Sequence, residues 1–499
     1  MELLFDDEWI DRKAGVRRVH GPVNKEPEPI LKSEMPWETA GIGGTSVIFD
    51  REEGMFKLWY RSTVVETVVR KYQGFVGSSE RETGTRRVFL CYAESKDGIS
   101  WTRPSLGICE FQGNRDNNIL RELGFEGDGV FFNVIKDPQD PDSARRYRAL
   151  GFDTSAASSV RGVEPGARGV CVCYSRDGFH WEEPKLIMST NDVTDSDCVL
   201  AQRDAITHKW IGYFRPRTHP KRRFIGYSES ADFDHWTHPR MLLTPDSEDD
   251  PWTEFYGLTV ACVGRWRIGC LWVMHNNPDY SPMTIELVYS RDGRNYHRAM
   301  PRVQFLPLGS EGSPDSRMIT TFALIERDKE FLLYYHGTNQ EHGSDRSKNG
   351  TGGMQMPKGQ VEGEGRKSIL GVARIPGRNF CGLQAEVDGV VETKWLSNYG
   401  EAGVQAYVQK EKDGWIKAEI LDQYGNLIPG WDASACSARE DADGRLGFYW
   451  GREDLVGGSG QISDKQGRVG HIVKLRFHLH KATLYAFQVG EEDSMPPYV

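Results

Sequence analysis

Ser95-Lys-Asp97-Gly98-Ile-Ser-Trp101 is a seven-residue frame that returns three times, as Ser175-Arg-Asp177-Gly178-Phe-His-Trp181, Ser230-Ala-Asp232-Phe-Asp-His-Trp236 and Ser290-Arg-Asp292-Gly293-Arg-Asn-Tyr296. Each copy stands behind a short apolar run that ends in Tyr or Tyr-Ala. The aromatic ends are 80, 55 and 60 residues apart, so the chain repeats one unit with insertions. Glycine supplies a positive φ at no side-chain cost and the aspartate bonds backbone two residues on, so the frame reads as a strand-to-strand turn. Its expected role is to hold repeats together, with the chemistry elsewhere.

Working outward, each frame closes a set of β-rich runs separated by turn residues. The first set is Thr45–Phe49, Phe56–Tyr60 and Arg87–Tyr92; the second is Gly129–Asn133, Arg146–Leu150 and Val170–Tyr174. The third is Cys198–Leu200, Trp210–Phe214 and Phe224–Tyr227, and the fourth is Tyr256–Val260, Trp266–Trp272 and Ile285–Tyr289. A fifth, Met318–Phe322, Phe331–Tyr335 and Ile369–Ala373, ends on Pro376-Gly377-Arg378-Asn379-Phe380 in place of the frame. Radial repetition of such meanders hides sheet edges, which predicts a propeller. After Phe380 the runs alternate strictly between apolar and polar, the pattern of a sandwich with one wet face. The expected fold is all-β: an N-terminal arm with little regular structure (1–34), a five-bladed β-propeller (35–380) and a β-sandwich domain (381–499). The Gly-, Lys- and Glu-rich stretch between Gln340 and Lys367 reads as a long loop over one face.

The totals exclude several classes. A formal charge of −10 with no basic run argues against nucleic acid. Nine scattered cysteines without a C-x-x-C pair argue against a disulfide framework or a zinc site. The acidic start Met1–Ile10 lacks a leader's basic and apolar regions, and no apolar run is long enough to span a bilayer, so a cytoplasmic protein with no membrane partner is expected. No H-E-x-x-H, P-loop or G-x-G-x-x-G context is present, so no metal or organic cofactor is expected beyond a structural cation that the channel leaves room for. Contact with a second subunit stays open.

Every repeat carries a carboxylate ahead of or at its first strand: Glu38, Asp128, Asp197, Glu254 and Asp315. First strands of blades line the central channel, so these groups are expected to crowd one mouth. Converging carboxylates repel, raising one pKa and leaving another group ionised, which is what an acid/base pair for glycosidic bonds needs. Arg61, Arg215, Arg217, His275 and His336 follow second strands and are candidates to bind substrate hydroxyls. Trp37 and Tyr256, beside candidate carboxylates, are candidates for a stacking surface.

With its Pro36-Trp37-Glu38 start, Tyr-Ser-x-Asp-Gly-x-x-Trp blade ends, Ser313-Pro-Asp315-Ser316 and terminal Leu475–Leu479 and Leu484–Phe487 motifs, the chain resembles the five-bladed β-propeller glycoside hydrolases. This is the superfamily of invertases, fructanases, arabinanases and β-xylosidases, and the likeness is to a bacterial branch carrying a C-terminal sandwich. The resemblance implies a glycoside hydrolase acting on an oligo- or polysaccharide, with the nucleophile or base, the transition-state stabiliser and the general acid falling on Glu38, Asp128 and Asp197. The fructosidase Asn-Asp-Pro-Asn-Gly motif is absent, and blades one and three exchange Asp and Glu relative to the family pattern, so Glu254 and Asp315 stay in the set. A carbohydrate-binding propeller without catalysis is one alternative. The other is a glycoside phosphorylase holding phosphate on Arg215, Arg217 and His336.

Overall fold

The computed structural model describes residues 1–74, 77–125, 133–153, 169–189, 200–218, 222–277, 281–342, 367–397, 403–442, 444–450 and 472–489, without the side chains of 66–86, 124–125, 153, 217–218 and 397. Five antiparallel units are laid out in chain order. Blade I pairs Ile42–Asp50, Met55–Gly74, Gly77–Ser95 and Ile119–Phe125; blade II pairs Asn133–Lys136, Tyr147–Asp153, Gly169–Ser175 and Lys185–Ser189. Blade III pairs Leu200–Arg203, Trp210–Phe214, Ile225–Ser230 and Arg240–Leu243. Blade IV contains Thr253–Val263, Trp266–His275, Met283–Ser290 and His297–Arg298. Blade V contains Met318–Arg327, Glu330–Thr338 and Ser368–Pro376. The first strands of the five blades contact one another in a closed circuit, I to II to III to IV to V and back to I. That circuit makes the architecture a five-bladed propeller.

The expected loop-like arm is corrected. It forms five short strands, because its alternating residues find unpaired edges on both domains. Asn24–Lys25 and Leu31–Lys32 pair with Ser368–Pro376 and supply the outer strand that blade V lacks. Glu2–Leu3, Ile10–Ala14 and Arg17–His20 join the C-terminal sheet instead. Phe5 stacks on Tyr289 of blade IV at 4.8 Å between ring centroids and lies edge-on to Trp266, so the arm wedges the domains together.

Among the described residues the C-terminal unit is one nine-stranded sheet folded over itself. Phe477 and Phe487 lie on one strand, Ile472–Val489, where ten extended residues would span about 33 Å. Their ring centroids are 5.9 Å apart, so the strand doubles back, helped by Lys481 at φ +45°. Neighbouring strands bend at the same level, with register shifts between Ala385 and Asp388 and between Lys410 and Trp415. The two halves enclose a core of Leu383, Ile416, Leu475, Phe477 and Phe487, which gives the sandwich its buried side.

The repeated frame builds the same turn four times. In the first copy Asp97 Oδ1 accepts from the amides of Ile99 and Ser100 at 2.8 Å each, Ser95 Oγ accepts from the Gly98 amide, and the Trp101 indole donates to the Gly98 carbonyl. Gly98, Gly178, Phe233 and Gly293 all take positive φ, between 72° and 81°. Each turn then touches the preceding blade. Tyr334 of blade V donates to Gly98 O, Trp59 of blade I to Gly178 O, Tyr174 of blade II to Asp234, and Arg267 of blade IV bridges its own turn to Asp204 of blade III. The frame is an inter-blade latch.

Candidate functional site

The first strands surround a channel of about 300 Å³, lined by Ser46, Val134, Leu200, Thr259 and Phe322 among others. Cross-blade bonds seal its wall: Ser46 Oγ donates to Val134 O at 2.8 Å, the Ala201 amide to Asn133 Oδ1 at 2.7 Å, and Thr321 Oγ1 to Thr259 Oγ1 at 3.0 Å. Blades I, IV and V each carry a bulge in the first strand, after Gly44, Phe255 and Thr321. A bulge leaves one residue out of alternation and re-aims its side chain, here Thr45, Tyr256 and Phe322. A Cβ on Gly44 would lie 2.2 Å from the Phe322 ring, so glycine is what lets that ring cross from blade V to blade I.

At the end where these strands begin, blades III and IV build a charged cluster. Blade III inserts a small hairpin, Arg217–Thr218 with Arg222–Arg223, after its second strand. From it, Arg223 donates to Oε2 of Glu254, whose side chain is almost fully buried; Asn276 Nδ2 approaches Oε1 at 3.4 Å. Burying a carboxylate is tolerable only with such a partner. Two residues on, Tyr256 is the bulged residue. The fully buried Arg215 guanidinium lies 4.1 Å from its ring centroid and that of Arg223 5.4 Å. The Tyr256 hydroxyl bonds His342 Nε2 at 2.7 Å, which brings in the segment that follows the second strand of blade V. Glu254, Tyr256 and Arg215 are therefore brought together.

Asp315 precedes the first strand of blade V and is paired with Lys25 of the arm at 2.5 Å and with Ser313 Oγ at 2.8 Å. Gly337 and Gly309 make room for it, since a Cβ on either would lie 2.4 Å or less from Asp315 atoms. Next to this start, the Arg317 amide donates to Thr338 O. Three residues later Glu341, 7% exposed, accepts from the Ser281 amide of blade IV at 3.1 Å. Burial pushes the Glu341 carboxyl above its ordinary 4.5, against the smaller opposing effects of the Ser281 amide and the Arg317 charge.

Glu38 and Trp37 belong to the start of blade I and pack there. Glu38 closes a short 3-10 turn, Pro36–Glu38, four residues before the first strand of blade I. Its carboxylate is wholly buried and accepts from the Glu34 and Met35 amides, Tyr60 Oη at 2.7 Å, and Arg103 Nε and Nη2 at 3.1 Å each. Five donors occupy that carboxylate, and they turn it toward the arm and blade I. Trp37 beside it packs edge-on against Phe111 in the blade I core. His275 accepts or donates within its own blade, to Thr284 Oγ1 at 3.1 Å, and burial lowers its pKa. His336 stands in register with Thr320 and Leu370, on the strand side that carries Tyr334 toward blade I. Arg61 is in register with Gly43 and Leu90 and half-buried. Asp128, Asp197 and the side chain of Arg217 lie outside the described residues.

Sequence reasoning missed Arg223, Asn276, Glu341, His342 and Trp252. Trp252 stands two residues before Glu254 and is 44% exposed. Its signal was available: Pro251-Trp252-Thr-Glu254 repeats the Pro36-Trp37-Glu38 pattern with one insertion. Among the described residues no group of three or more His, Cys, Asp or Glu side chains is arranged to hold a metal, and no helix is long and apolar enough to cross a membrane.

No protein-family profile matches the chain, and no curated protein sequence matches it. Among solved structures it is similar to a β-1,2-mannobiose phosphorylase from Listeria innocua, with 11% identity over 71% of this chain and 96% of that one and a TM-score of 0.44. It is also similar to a thermostable family-43 glycoside hydrolase (11% identity, 70% and 91% covered, TM-score 0.39). A Bombyx mori GH32 β-fructofuranosidase matches 95% of this chain and 93% of its own at 11% identity and a TM-score of 0.37.

Proposed function

We propose that the protein is a carbohydrate-active enzyme that breaks glycosidic bonds of an oligo- or polysaccharide at the mouth of the propeller channel. The observation that carries this reading is the buried pair of Glu254 and Arg223 beside the arginine-backed Tyr256. A carboxylate partnered by a guanidinium at the end where the first strands begin suits a developing oxocarbenium charge, or the proton of an attacking water. Exposed Trp252 at the lip offers an apolar face of the kind a sugar ring covers. Asp128 and Asp197 complete the carboxylate set on the sequence grounds given above, Asp315 is a further member held by Lys25, and Glu38 braces blade I.

A second reading, glycoside phosphorolysis, is favoured by one feature: Arg215, Arg223 and His342 all surround Tyr256, a donor-rich setting for phosphate. The test is a screen of the purified protein against aryl glycosides and natural oligosaccharides, with and without phosphate, reading released sugar by chromatography. Release that is independent of phosphate and abolished in Glu254→Gln supports hydrolysis, and release that requires phosphate supports phosphorolysis. Binding without release would leave a carbohydrate-binding propeller.

A further inference from the structure

We propose that Glu341 is the proton donor of the mouth, giving its carboxyl proton to the glycosidic oxygen as that oxygen leaves. This rests on the glycosidase reading above and deepens it. Glu341 belongs to no motif and to no first strand, and its place comes from the fold alone. The second strand of blade V ends at Thr338, and the Thr338 carbonyl accepts from the Arg317 amide beside Asp315. The chain then carries Glu341 across to blade IV, where the Ser281 amide meets Oε2 at 3.1 Å. The next residue, His342, bonds Tyr256, and Tyr256 lies under the same Arg223 that holds Glu254. A short run of contacts, through its neighbour His342, thus links Glu341 to Glu254.

Their surroundings differ in the sense an acid and its counterpart require. Glu254 has a guanidinium on its carboxylate and Asp315 an ammonium, while Glu341 receives only a neutral backbone amide as a hydrogen-bond donor among the described residues. The charged and titratable groups facing it are Arg317 from the blade V start and His342 beside it in the chain; blade IV presents the Ser281 amide and a buried Ser281 hydroxyl that has no partner among the described residues. Burial wins over these, and Glu341 is the one carboxyl among the described residues with a resolved upward shift. A carboxyl that burial pushes upward, in the same region as carboxylates paired with cations, is the kind of arrangement in which acid and base roles separate. In the step itself the bond from the anomeric carbon to the glycosidic oxygen breaks, its electron pair staying on oxygen and the Glu341 proton joining it to give the leaving alcohol. The glycosyl group passes to water, whose proton is taken by the ionised carboxylate, and exchange with solvent restores both groups.

The experiment compares the full chain with Glu341→Gln on two glycosides of whichever sugar the screen releases, one with a 2,4-dinitrophenolate leaving group and one with an alkyl group. A poor leaving group needs the proton and dinitrophenolate does not. Glu341→Gln is expected to lose about 10²- to 10⁴-fold in kcat/KM on the alkyl glycoside and less than tenfold on the dinitrophenyl one, with the alkaline fall of the pH profile abolished. Glutamine keeps the acceptor for Ser281; should it nonetheless misfold, Glu341→Asp replaces it and is expected to be slower while retaining that alkaline fall. Equal loss on both substrates, full alkyl activity or an unchanged alkaline fall in Glu341→Gln overturns the assignment while the glycosidase reading stands. A wild type that releases no sugar from any glycoside overturns both.

Discussion

The indole N–H of Trp59 in blade I donates to the carbonyl of Gly178 in the turn that closes blade II, 2.8 Å away, and that carbonyl also accepts from Trp181 within its own turn at 3.0 Å. Two indoles from different blades share one acceptor. Trp59→Phe alone is expected to lower stability by about 1–2 kcal/mol, one net hydrogen bond plus some packing, because Trp181 still satisfies the carbonyl. Adding Trp181→Phe orphans a buried carbonyl, so the double variant should lose more than the sum of the single losses. Urea denaturation midpoints of the three variants check this, and simple additivity would contradict it.

The same turns predict acid sensitivity. Burial alone would raise the carboxyls of Asp97, Asp177 and Asp292, but amides two and three residues on bond each of them and hold all three at about 2 instead of 3.8. The unfolded carboxylates then bind protons more readily than the folded ones. The stabilisation is present in full above pH about 4 and is lost as pH falls toward 2. Melting temperature should drop through that window, and Asp177→Asn should lower it at pH 7 while narrowing its difference from wild type at pH 2.

Much of the propeller was legible because its latch is local: Ser, Asp, Gly and Trp within seven residues make the whole turn, so the repeat shows in the sequence itself. The outer strand of blade V was not, since Asn24–Lys25 pairs with Ala373–Arg374 nearly 350 residues away and two-residue strands leave no pattern. Glu254 was found because it heads a strand. Glu38 was expected at the same place, but it closes a 3-10 turn four residues short of the strand, where it serves as a cap and as the acceptor for Arg103. Glu341 and His342 follow a second strand, and what distinguishes them, burial and the reach to Ser281 and Tyr256, exists only in three dimensions.

Trp252 is held at the lip by its backbone, its amide donating to Asp250 Oδ1 at 2.8 Å and its carbonyl accepting from Asn276 at 2.9 Å, while its side chain stays 44% exposed. A rigid, exposed ring contributes little to folding. Trp252→Ala should leave the melting temperature within a degree or two of wild type and raise KM about three- to tenfold, the size of one aromatic contact of about 0.5–1.5 kcal/mol. Steady-state kinetics on the released glycoside check it; an unchanged KM would place the sugar elsewhere.

Arg223 and Glu254 couple blades III and IV across a single ion pair. Arg223→Met leaves Glu254 buried with only Asn276, at 3.4 Å, as a donor among the described residues, and should cost about 3–5 kcal/mol of stability, the usual penalty for stranding a buried charge. Glu254→Gln on that background removes the stranded charge, so the double variant should recover most of the loss. Activity should follow the opposite logic. If the carboxylate acts on substrate, no partner change replaces it, and the double variant stays inactive though folded. Denaturation midpoints and turnover measured on the same four proteins separate the two roles, and a double variant that regains turnover along with stability would reduce Glu254 to a structural ion pair.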